Sequence, residues 1–196
     1  MKVTTILGSP RIKGNTSKVL EKFEKIIKSM GHEIDRINII RYKVNGCLGC
    51  NKCRTVLDEP GCVQKDDFIS LFKRILVSDI IIYASPLYVW GYTAQIKPLI
   101  DRQYCLVKNY GKPEYKSFLK DKKVALLVTC GDNIENNADL IPIIFQRESD
   151  YLGSIVIGKY IVPLSTDLRS FGQRANETAK MMADDIIKCS GTAVEV

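Results

Sequence analysis

A doubly wound α/β fold, a five-stranded parallel sheet with helices on both faces, is predicted by two features of this 196-residue chain. Short apolar runs rich in Val and Ile alternate with longer stretches of helical periodicity, the pattern of successive βαβ units. A composition of 45% hydrophobic and 26% charged residues also suits one buried core, so a single domain over 1–196 is expected.

The first strand runs from Val3 to Leu7. A helix follows at Ser17 to Met30, where Val19, Leu20, Phe23, Ile26 and Ile27 recur at helical spacing and Lys18, Glu21, Lys22, Glu24, Lys25 and Lys28 fill the solvent face. Glu33 to Ile39 is the second strand, and Phe68 to Ser78 the second helix. The third strand, Asp79 to Ala84, leads to a helix over Thr93 to Tyr104. Lys123 to Thr129, a helix over Ile134 to Tyr151, a strand over Gly153 to Val162 and a helix over Asp167 to Cys189 complete the set. Two segments are irregular and read as insertions: a cysteine-rich loop at 42–67, and Lys108 to Lys122, which is polar with Gly111 and Pro113.

No stretch approaches the roughly 20 apolar residues of a membrane span, and the N-terminus is too short and strand-like for a signal peptide, so a cytoplasmic protein without a membrane partner is expected. Seven cysteines in that setting point to metal or redox chemistry rather than a disulfide framework. The net charge of +7 reads mainly as a solvated surface, and no nucleic-acid motif accompanies it. With His32 as the single histidine and no Ser-His-Asp or Cys-His pair, no catalytic acid–base or nucleophilic residue is nominated.

In a doubly wound sheet, ligands bind beyond the carboxyl ends of the strands. Three loops lie there: Gly8 to Thr16, Ser85 to Tyr92 and Cys130 to Asn133. The first offers helix N-terminal N–H groups to an anion, hydroxyls from Ser9, Thr16 and Ser17, the guanidinium of Arg11, and close backbone approach at Gly14, with Asn15 beside it. Five residues separate Gly8 from Gly14, and Asn15 follows instead of Lys, so the string is no nucleotide-triphosphate loop. Nor does it contain the G-x-G-x-x-G dinucleotide signature. A terminal monophosphate such as that of FMN is the remaining guest, while Asn15 or Thr16 taken alone also suits a simple helix cap.

Gly8-Ser9-Pro10-Arg11 with Gly14-Asn15-Thr16-Ser17 resembles the FMN-phosphate signature of the NADPH-dependent FMN reductase family. Ser85-Pro86-Leu87-Tyr88, leading through Thr93-Ala94-Gln95-Ile96-Lys97 to Ile100-Asp101-Arg102, resembles that family's flavin-ring loop. The resemblance implies a flavodoxin-like strand order 2-1-3-4-5, FMN contacts from Pro86, Leu87, Tyr88, Val89, Trp90 and Gly131, and a homo-oligomer, dimer or tetramer, with flavin sites near subunit boundaries. Trp90 and Tyr92 suit flavin contact and interface packing equally. Cys130, next to Gly131, reads as a small buried hydrophobe.

In Cys47-Leu48-Gly49-Cys50-Asn51-Lys52-Cys53, thiols recur every third residue, and Cys62 arrives after eight more residues. With Gly46 and Gly49 easing the curl, four such thiols suit a cubane iron-sulfur cluster, and a zinc site or an empty thiol set stands as the rival. The run resembles that of iron-sulfur flavoproteins within the same family, with a longer last gap, and so implies a [4Fe-4S] cluster on Cys47, Cys50, Cys53 and Cys62. FMN exchanges two electrons and a cluster one, so a role in electron transfer follows, with a ferredoxin-like carrier or NAD(P)H as partner.

Overall fold

The computed structural model describes residues 1–191; the expected domain span 1–196 ends in residues that lie outside the described residues. The strands are β1 (Lys2–Leu7), β2 (Glu33–Asn38), β3 (Ile80–Pro86), β4 (Val107–Lys108), β5 (Lys116–Ser117), β6 (Lys123–Thr129) and β7 (Ile155–Val162). The helices are α1 (Asn15–Ser29), α2 (Phe68–Leu76), α3 (Lys97–Arg102), α4 (Ile141–Leu152) and α5 (Leu168–Gly191). Five strands form one parallel sheet in the order β2-β1-β3-β6-β7, the doubly wound arrangement that the alternating pattern predicts.

Because alternate side chains of a strand point to opposite faces, each central strand feeds two cores. Ile80, Ile82 and Ala84 of β3 pack with Phe23 and Ile27 of α1 and with Ala179 and Met182 of α5. Ile81 and Tyr83 turn the other way, onto Phe72 of α2 and Phe145 of α4. This double burial explains why β3 and β6 read as apolar runs rather than alternating ones.

Several boundaries differ from the sequence expectation. The expected helix over Thr93 to Tyr104 is cut to α3, because Pro98 belongs in a first helical turn; the chain then tightens into a 3₁₀ turn, Gln103–Leu106. The expected helix over Ile134 to Tyr151 starts only at Ile141, with Pro142 in its first turn and left-handed Asn136 (φ +55°) blocking an earlier start. It ends at Gly153, whose φ of +66° makes it the helix cap and removes it from the strand. β3 runs two residues further than expected, to Pro86, since Ser85 and Pro86 pair with Val128 and Thr129. The polar segment 108–122 conceals β5 and the last residue of β4, which pair as an antiparallel ribbon.

No helix among the described residues is long and apolar enough to cross a membrane.

Candidate functional site

Beyond the carboxyl edge of the sheet, three loops are tied together around Thr129. The Thr129 carbonyl accepts from Leu87 N at 2.9 Å, and its hydroxyl lies 2.7 Å from that of Thr16. Gly8 N donates to Ala84 O at 2.7 Å, and the Thr93 hydroxyl donates back to Gly8 O. Asn15 Nδ2 reaches Ser165 O at 2.6 Å, and Ser165 N in turn donates to Cys130 O at 2.8 Å. The ends of β1, β3 and β6 thus form one platform.

In the first loop, Ser9 is buried and its Oγ accepts from Arg11 N at 3.1 Å, closing a tight turn. Gly14 N donates to Arg11 O at 3.0 Å; a Cβ on Gly14 would lie 3.1 Å from that oxygen, closer than ordinary contact. No side chain caps α1, although Gly14, Asn15, Thr16 and Ser17 all stand at its start. The hydroxyl of Ser17 is engaged elsewhere: it lies 2.7 Å from Ile12 O and 2.8 Å from Glu21 Oε1 and accepts from Arg36 Nη2 at 2.5 Å. Ser17 therefore braces the loop from behind, while Arg11 stands exposed in front.

Pro86 ends β3, and Leu87 packs against the core. Tyr88 and Gly91 then exchange two backbone hydrogen bonds of 3.1 Å around Val89 (φ +48°) and Trp90 (φ +59°), a two-residue turn with both central residues left-handed. The turn lifts Tyr88, Val89 and Trp90 into solvent, Val89 to 87% exposure. Tyr92 leaves the surface and donates to Glu148 Oε2 on α4 at 3.2 Å. Burial pushes the Glu148 carboxyl up to about 7, and the same burial together with Glu148 raises the Tyr92 hydroxyl above its ordinary value. Gly131 stands exposed after β6, its carbonyl 3.4 Å from the Thr166 hydroxyl.

The cysteine segment curls through Gly49 (φ +62°), Asn51 (φ +57°) and Gly61 (φ +68°), whereas Gly46 is not left-handed. Cys47, Cys50, Cys53 and Cys62 line one pocket, with Arg102, Tyr104 and Cys105 completing its wall. Among the described residues no three His, Cys, Asp or Glu side chains are grouped so as to hold a metal ion. Lys108, buried under the segment, donates to Cys53 O at 2.8 Å and Pro60 O at 3.1 Å. Asp66 accepts from Asn45 N at 2.9 Å and from Arg102 Nη1 at 2.5 Å. Burial acts to raise its carboxyl, but these bonds outweigh it and hold Asp66 below the usual carboxylate range. Burial and the neighbouring Cys62 and Cys53 push the Cys105 thiol up to about 12.

The structure thus brings the nominated residues together in two groups, one at the carboxyl edge and one at the cysteine pocket. Sequence reasoning passed over Lys108, Glu148 and Cys105, and gave Thr129 only a place where a strand meets its loop. Arg102 stood inside a recognised string but without a role. None of these carries a local signal, since each acts on a segment distant in sequence.

Residues 1–168 match the model of the family described as NADPH-dependent FMN reductase. A protein of Methanosarcina thermophila named iron-sulfur flavoprotein is 34% identical over 161 residues, covering 81% of this chain and 78% of the relative. One of the same name from Archaeoglobus fulgidus is 43% identical over 102 residues, 52% of this chain and 45% of that protein. The chain spans about half the length of most curated relatives it matches. Among solved structures, an NAD(P)H:quinone oxidoreductase from Methanothermobacter marburgensis superposes with a TM-score of 0.75 at 16% identity, covering 94% of this chain and 95% of that one, which shows the shared fold. The chain belongs to the NADPH-dependent FMN reductase family, alongside relatives named iron-sulfur flavoproteins.

Proposed function

We propose that this chain is a flavin-dependent oxidoreductase that binds FMN at the carboxyl edge of the sheet and a [4Fe-4S] cluster on Cys47, Cys50, Cys53 and Cys62, passing electrons between a reduced ferredoxin-like carrier and an acceptor. The observation that carries the reading is the gathering of those four cysteines on one pocket, in a chain whose α1 N-terminus is left without a side-chain cap.

The residues present fit both groups. An uncapped helix start, with N–H groups at Asn15, Thr16 and Ser17 and the Ser9 and Thr16 hydroxyls nearby, suits a terminal phosphate, and the exposed Arg11 adds a cation. Gly14 keeps the approach to that cradle free of a Cβ. Val89 and Trp90 supply the backbone N–H groups of the second loop, since Pro86 has none and those of Leu87 and Tyr88 are bonded within the chain, and Tyr88 and Trp90 add flat apolar surface for a ring system, with Gly131 on the next loop. Four thiols lining one pocket supply the ligand number of a cubane cluster. When bound, FMN supplies two-electron chemistry and the cluster one-electron chemistry, which together join partners of the two kinds. The exposed Tyr88, Val89 and Trp90 also provide apolar surface for a second copy of the chain, in keeping with a homo-oligomer.

Anaerobic purification followed by flavin and iron analysis of one sample tests the reading. One FMN and about four iron atoms per chain are expected from four thiolate ligands; protein that binds FMN but no iron would overturn the cluster.

The family's NADPH dependence supports a second reading, an NAD(P)H-dependent FMN or quinone reductase. Rapid bleaching of bound flavin by NADPH, unchanged when Cys47 and Cys50 are replaced by Ser, would favour it.

A further inference from the structure

Arg102 is the last residue of α3, the helix that follows the Tyr88–Gly91 turn, and its guanidinium is directed into the cysteine pocket. It is the largest fully buried side chain among the described residues. Nη1 donates to Asp66 Oδ2 at 2.5 Å and to Asn45 O at 3.3 Å, Nη2 donates to Cys62 Sγ at 3.2 Å, and the Phe68 ring centre lies 4.0 Å from the guanidinium carbon. Asp66 is buried as completely, with 0% of its side chain exposed.

A charge pair withdrawn from water this far is a poor source of stability, since an apolar pair of the same volume would pack there at no desolvation cost. The geometry gives the charge another use. Asp66 and Asn45 hold one edge of the planar fork, and the fork's rigidity then aims the other edge at a sulfur. Two cysteines compete for that corner of the pocket: Cys62, and Cys105 from the turn immediately after α3. Cys105 is packed into the hydrophobic core, and the guanidinium hydrogen bond goes to Cys62.

Resting on the cluster reading above, we infer that Arg102 is a positioning residue that designates Cys62, rather than Cys105, as the fourth cluster ligand and raises the cluster's reduction potential through its bond to the Cys62 sulfur. The sign follows from charge: reduction adds an electron to the cluster and its thiolates, and an N–H donor on a cation stabilises the more negative state. Asp66 acts through Arg102 by keeping the fork in place.

The test compares three proteins purified anaerobically: wild type, Arg102→Lys, and the neutral pair Arg102→Gln with Asp66→Asn. FMN per chain, iron retention against a chelator and the cluster midpoint potential are measured. The neutral pair is expected to keep wild-type FMN content and to hold iron about tenfold less tightly. Its reduced-to-oxidised ratio at the wild-type midpoint should fall about tenfold, a shift of about 59 mV for a one-electron couple. Arg102→Lys, which cannot serve Asp66 and Cys62 with one fork, should move both readings in the same direction. Unchanged iron retention and midpoint in flavin-replete variants would overturn the role of Arg102. Wild-type protein without iron would instead overturn the cluster reading itself. If the neutral pair loses its flavin, Arg102→Lys decides alone, and wild-type values there overturn the inference.

Discussion

The hydroxyls of Thr16 and Thr129 lie 2.7 Å apart, joining the start of α1 to the end of β6 although the two residues are separated by most of the chain. Both side chains are buried, and Thr129 also receives Leu87 N, so one residue positions two of the three loops of the candidate flavin site. Thr129→Val keeps the shape and removes the hydroxyl; with a net hydrogen bond of about 1 kcal/mol at stake, FMN affinity should fall roughly fivefold to tenfold. Isothermal titration of the apoprotein with FMN measures it, and an unchanged affinity would show that the bond does not position the loop.

Glu148 sets a pH dependence. Its folded-state carboxyl, raised by burial to about 7 from an ordinary 4.5, binds more protons than the unfolded chain does between those values. Stability from this group is therefore highest below the lower value and declines as pH rises through the window. Glu148→Gln resembles the protonated form, so the variant should match wild type near the lower value and exceed it by about 1–2 kcal/mol above the upper one, discounted because the side chain is only partly buried. Urea melts of the two proteins across that range provide the comparison.

Val89 carries backbone strain. A β-branched residue at φ +48° costs on the order of 1–3 kcal/mol, and at 87% exposure its side chain recovers little by burial. Val89→Asn, which tolerates the left-handed region, should stabilise the protein by about 1 kcal/mol in denaturant unfolding. A destabilised variant would mean that Val89 makes contacts outside this chain.

Lys108 staples the cysteine segment from below by donating to the carbonyls of Cys53 and Pro60. Lys108→Met keeps the stem but leaves those carbonyls without their donor, at a cost of about 1–3 kcal/mol. Limited proteolysis should then cleave between Lys52 and Cys62 faster than in wild type while the parallel sheet retains its hydrogen-exchange protection.

The parallel sheet was legible chiefly through its central strands β3 and β6, which are buried on both faces and so appear as short apolar runs. The loop from Gly8 to Ser17 was legible because a strand-to-helix turn needs particular residues in consecutive order. Helix starts at Ile141 and Lys97 were misplaced because apolar spacing continues through Ile134 and Thr93, while Pro142, Pro98 and left-handed Asn136 determine where the helices begin. The ribbon of β4 and β5 was missed because two-residue strands carry no period to detect.

By itself, then, the sequence determined the layered architecture, the platform loops and the cysteine run, since each depends on residues adjacent or regularly spaced along the chain. Only the tertiary structure decided that Thr129 joins the loops, that Lys108 underpins Cys53, that Cys105 shares the cysteine pocket, and that the buried Arg102 is directed at Cys62. The physical reason is range: secondary-structure patterns record nearest-neighbour geometry, whereas hydrogen bonds and ion pairs form between whichever groups the sheet order brings together, and that adjacency is written in no local stretch of the chain.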